Sequence, residues 1–134
     1  MNRIFLALVF LLASVSLAPA QESPSTAETP VEQYLYVLRL VPRLLEAKNW
    51  TAQDNQIVGR HFQRLQSMTE QGTVILAGRT LNPDPSSFGI VIFEAASPDE
   101  ARRIMEEDPA VKEGIMTSEL FPYRVALQRK NPHP

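Results

Sequence analysis

The 134-residue chain contains no cysteine. That excludes disulfides, thiol catalysis, thiolate zinc sites and a lipid-modified N-terminal cysteine. Histidine is nearly as scarce, with only His61 and His133, so no histidine-rich metal centre is expected. Glycine is sparse too, and no G-x-S-x-G, glycine-rich phosphate loop or H-E-x-x-H occurs. Neither sign of charge dominates: 13 basic residues face 15 acidic ones, which disfavours nucleic acid as a partner. Arg102-Arg103 and Arg129-Lys130 are isolated basic pairs that read as solvated faces. The length suits one domain.

Apolar content is uneven along the chain. Residues 1–20 have a short positive start at Arg3, an uncharged apolar run from Ile4 to Leu17, and an A-x-A step at Ala18-Pro19-Ala20. This is the pattern of a signal peptide, and the run is short of the roughly 20 residues that span a bilayer. Export to the periplasm or beyond is therefore expected, with no stable membrane insertion after cleavage. The first 20 residues hold one of the 13 basic and none of the 15 acidic residues, so the remainder carries a formal charge of −3. Residues 21–31 begin QESPSTAETP and read as a flexible linker. The folded domain is expected over 32–128, followed by a loose polar tail, 129–134, in which His133 has no assigned role.

Within the domain the pattern reads strand, helix, strand, strand, helix, strand. Tyr34 to Val41 alternates, with large apolar groups on both sides, and Pro42 closes it. Thr51 followed by Asp54 predicts a helix cap, a helix from Ala52 to about Gln71, and a stop at Gly72. Thr73–Arg79 and Phe88–Ala95 read as strands, and Ser97-Pro98-Asp99-Glu100 as the start of a second helix. Asp108-Pro109 breaks that helix, and a further turn is expected before Gly114. Ser118–Gln128 reads as a last strand, which Pro122 assigns to a sheet edge or to the neighbourhood of an oligomer contact. A βαββαβ order is that of the ferredoxin-like α+β fold. Both helices would lie on one face of the sheet, leaving the other face apolar and wet, so a homodimer joined sheet to sheet is expected.

Two residues stand out as candidate chemistry. With Ile57 at zero on a helical wheel, His61 falls near about 40°, between Met68 and Leu65 and within the apolar stripe. Such an imidazole needs a hydrogen-bond partner, and a backbone carbonyl would serve. Phe62, Tyr34, Tyr36 and Phe93 read as core. Asp108 ends a run of three acids at the negative end of a helix, and it also suits an N-cap for the turn that follows. Antiparallel helices would bring Asp108 toward His61, and an Asp–His pair is the minimum equipment for proton transfer near neutrality.

Arg60-His61, Leu65, Gly72, Ala77-Gly78, Ser97-Pro98-Asp99-Glu100-Ala101, Asp108-Pro109 and Gly114, in this order and spacing, resemble the YCII-related domain family. The resemblance covers about Gln33 to Leu127. It implies a dimeric α+β barrel of ferredoxin-like protomers, with His61 and Asp108 as the active-site dyad. One branch of the family resembles a lyase that removes chloride from a chlorinated hydroxyquinol. Relatives in the wider superfamily include isomerases and monooxygenases of small aromatic compounds. The chain departs from the family at Gly59, where many members have Pro, and at Gly78-Arg79, where Gly-Pro is usual; most members also lack an export signal. Arg79 is thus a candidate contact for an anionic or carboxylate ligand. Two functions remain open: a cofactor-free lyase or isomerase, and a non-catalytic module binding a small aromatic or carboxylated ligand. No metal or cofactor is expected in either.

Overall fold

The computed structural model describes residues 31–129. The expected signal peptide, all of the linker except residue 31, and residues 130–134 of the tail lie outside the described residues. Four strands and three helices follow one another as β1 (Glu32–Leu40), α1 (Ala52–Glu70), β2 (Val74–Arg79), β3 (Gly89–Ala95), α2 (Pro98–Glu106), α3 (Pro109–Lys112) and β4 (Met116–Tyr123). The strands form one sheet in the order β2-β3-β1-β4 with antiparallel neighbours, which is the ferredoxin-like topology.

Local chemistry sets each boundary. Thr51 and Asp54 cap α1 reciprocally: the Thr51 hydroxyl accepts from the Asp54 amide, and the Asp54 carboxylate accepts from the Thr51 amide. Ser97 caps α2 by accepting from the Glu100 amide. The Glu100 carboxylate reaches one residue further back than the capping-box pattern predicts, accepting from Ala96. Gly72 and Gly114 end α1 and α3 at φ values of 83° and 73°, where a Cβ would be strained.

Two expected elements differ. The last strand starts at Met116 and ends at Tyr123, not Ser118 to Gln128. It starts earlier because β1 offers paired positions as far as Leu40 opposite Met116, and it ends once β1 runs out near Gln33. Pro122 does lie on an edge strand, since β4 has only β1 beside it. The loop after β1 carries two short 3-10 turns, Pro42–Leu45 and Ala47–Asn49. They bury Leu44, and Trp50 donates its indole N–H to the Leu44 carbonyl.

The sheet has two unlike faces. Tyr34, Tyr36, Leu38, Val91 and Phe93 pack beneath α1 and α2 with Leu65, Ala101 and Met105. A smaller cluster of Leu44, Ile57, Ala110 and Ile115 ties the start of α1 to α3. On the opposite face, Leu35, Val37 and Ile90 are half-buried, while Leu76 and Phe121 remain exposed.

Candidate functional site

Asp108 is completely buried at the corner between α2 and α3. Its carboxylate does three jobs at once. It caps α3 by accepting from the Ala110 amide at 2.9 Å. It accepts the Tyr36 hydroxyl, rising from the middle of β1, at 2.9 Å. It also meets His61 Nδ1 at 2.7 Å through Oδ1 and 2.9 Å through Oδ2. The two local readings of Asp108, as a cap and as a histidine partner, therefore hold together. The partner of His61 is this carboxylate, not a backbone carbonyl.

The protonation pattern follows from these contacts. Burial pushes the Asp108 carboxyl up, but the hydrogen bond and charge of His61, with the Ala110 and Tyr36 donors, outweigh it and hold it below its ordinary value. Tyr36 is driven far above a normal phenol, first by burial and then by the adjacent carboxylate, so it remains a donor. An ionised carboxylate only accepts, so Nδ1 of His61 carries the proton of this contact, and Nε2 is the ring nitrogen left for another partner. No hydrogen bond involves Nε2 among the described residues. The His61 side chain is 13% exposed, whereas Ile57 and Leu65 on either side of it are 3% and 7% exposed as residues. The core stripe of α1 thus opens at the imidazole.

Around this opening the structure departs from the expected core. Phe62 is 66% exposed rather than packed. It lies about 100° around α1 from His61, beyond the edge of the buried stripe. Arg79 pairs in register with Gly89, and Gly89 with Leu38, so Arg79 lies on the same side of the sheet as Tyr36. It is exposed, with no ion-pair partner among the described residues, and no bond joins it to His61 or Asp108. A separate cleft of about 490 Å³, lined by Arg64, Met68, Gly72, Ala95 and Ile104, lies toward the other end of α1 and excludes the pair.

Sequence reasoning missed one contributor, Tyr36. It had every mark of a core aromatic, and nothing local signals that its hydroxyl reaches 72 residues along the chain. Arg64 sits one turn beyond His61, with Nη2 at 4.0 Å from Glu107. No group of three potential metal ligands gathers among the described residues.

A four-stranded antiparallel sheet under helices that pair a histidine with a buried aspartate defines a ferredoxin-like α+β protein. The sequence profile of the YCII-related domain matches residues 34–123, and the chain belongs to that family. No curated protein matches it in sequence. Among solved structures, it is similar to the 5-chloro-2-hydroxyhydroquinone dehydrochlorinase of Burkholderia phenoliruptrix AC1100 in complex with 2,5-dihydroxybenzoquinone. The TM-score is 0.52 at 20% identity, covering 69% of this chain and 93% of that one. At that identity the likeness shows the shared fold.

Proposed function

We propose that the protein is an exported small-molecule enzyme whose His61 transfers a proton and whose Asp108 orients and stabilises the imidazole. The observation that carries this reading is the Nδ1–carboxylate contact at 2.7 Å, formed by a completely buried Asp108 where the helix stripe opens. A base of this kind takes a proton through Nε2, and the resulting imidazolium is stabilised by the carboxylate beneath it. Proton removal followed by elimination or isomerisation of a small aromatic or carboxylated compound suits the pair and needs no cofactor. The dehydrochlorination named for the similar structure is a reaction of this type. Arg79 would meet an anionic substituent from the exposed end of β2.

The signal-like segment supports export, and a mature N-terminus at Gln21 in secreted material would establish it. The apolar second face of the sheet supports a homodimer, which light scattering on the mature chain would detect.

The central test is a thermal-shift screen of small aromatic and carboxylated compounds, followed by mass analysis for turnover. Turnover that falls by about 100-fold or more in both H61A and D108N, with the fold and dimer retained, supports the acid/base role. Binding without turnover at any pH would leave a ligand-binding module instead.

A further inference from the structure

Two polar side-chain contacts join α1 to the short helix α3, and they come from adjacent residues of α1. His61 meets Asp108, the N-cap of α3, and Arg60 meets Glu113, its C-cap. Nη2 of Arg60 donates to both carboxylate oxygens of Glu113, at 2.7 and 2.8 Å. Between these contacts, Ile57 of α1 and Ala110 of α3 share one buried cluster. On the helical wheel Arg60 falls about 60° to one side of Ile57 and His61 about 40° to the other. The turn is therefore held at both ends, from the two sides of the stripe that Ile57 marks.

A four-residue helix does not hold a position by itself. Asp108 and Glu113 are rigid ends of this one. The Asp108 carboxylate accepts from the Ala110 amide, its carbonyl accepts from the Lys112 amide at 2.8 Å, and the Glu113 amide donates to the Pro109 carbonyl at 3.0 Å. Any tilt of α3 thus carries the Asp108 carboxylate with it. The Ala110 methyl limits how near α3 comes to the apolar cluster, but apolar contact is non-directional and leaves the tilt free. A polar contact at the far end removes that freedom. The Arg60 and Glu113 side chains are 47% and 36% exposed, so the pair adds little to global stability, and its consequence is geometric. We propose that Arg60 and Glu113 are positioning residues for the His61–Asp108 pair, clamping the far end of α3 so that the buried carboxylate stays turned toward Nδ1. The consequence for turnover rests on the acid/base reading above; the effect on the pair itself does not.

The test reads the ring nitrogens of His61 by nitrogen NMR in the full chain, at pH about 9, where an unperturbed imidazole is neutral. The shifts report which nitrogen carries the proton, and the wild type is expected in the Nδ1–H form that the carboxylate selects. R60M and E113A should each move the ring toward the Nε2–H form while Tm changes little. Combining them should move it no further than either alone, because both break one contact. The charge-swapped combination of R60E with E113R should return the ring toward the wild-type form. Unchanged shifts in both single variants overturn the proposal and reduce the ion pair to a surface contact. A displacement that the charge swap fails to reverse also overturns it, as does a wild-type ring in the Nε2–H form. If one single variant does not fold, the other decides. No substrate is needed, so a wild type without turnover would defeat the acid/base reading and leave this result standing. Turnover with unmoved shifts would do the reverse.

Discussion

Two aspartates are buried in the described part of the molecule, and both serve the start of a helix. Asp54 lies in the first turn of α1, where it takes Arg43 Nη1 at 3.0 Å, the Thr51 hydroxyl at 2.7 Å and the Thr51 amide at 2.9 Å. The Arg43 hydrogen bond, followed by those of Thr51, holds its carboxyl far below the ordinary range. Asp108 caps α3, but its side-chain partners are an imidazole and a phenol from two other elements. The residue type and the local job are similar; the partner differs. A guanidinium keeps its charge at any accessible pH, so the Arg43–Asp54 contact is a fixed latch. At Asp108 the same kind of carboxylate meets an imidazole instead, the group that carries the proton in the function proposed above.

Substitution can sharpen that contrast. A large stability loss is expected from Asp108→Ala, on the order of 3 kcal/mol, because the buried Tyr36 hydroxyl and Ala110 amide both lose their acceptor. Denaturant unfolding would measure it, and a loss below that of a simple cap would mean that water replaces the carboxylate. Acid should weaken both regions. Each aspartate has its carboxyl lowered in the folded state, so each adds stability that is fully present above the unfolded value of about 4 and is lost as pH falls through the lower folded value. Tm followed from pH 7 downward should therefore drop on the acid side, with a shallower drop in Asp54→Asn. Tyr36→Phe removes one donor to Asp108 and should cost about 1 kcal/mol, leaving the Arg43–Asp54 latch untouched. The smallest effect should come from Phe62→Ala, within about 0.5 kcal/mol, since the ring is exposed. Leu65→Ala, three positions on but buried, should cost about 2–5 kcal/mol. Near-equal losses at these two sites would show that Phe62 is covered in solution.

Much of this was legible along the chain. Short-range chemistry located the helix starts at Thr51 and Ser97, the stops at Gly72 and Gly114, and the edge strand through Pro122, because caps, positive φ and a missing N–H act within a few residues. The wheel placed His61 on the inward stripe. It could not distinguish Phe62 from its neighbours, since a ring at the stripe's margin is buried or exposed according to what the sheet puts opposite. The end of β4 is hidden from the sequence for a related reason: alternation continues past Tyr123, but pairing stops where β1 does.

The sequence by itself determined the order of elements, the caps, the scarcity of candidate catalytic groups and the two histidines among which His61 stands out. Tertiary structure alone closed the expected approach of Asp108 to His61, across 47 positions, into a direct contact, and decided that Tyr36 adds its hydroxyl from β1. The reason is one of range. Caps and turns are fixed by the hydrogen-bonding needs of adjacent backbone, whereas a buried carboxylate finds its partners only once the sheet and helices have closed around it.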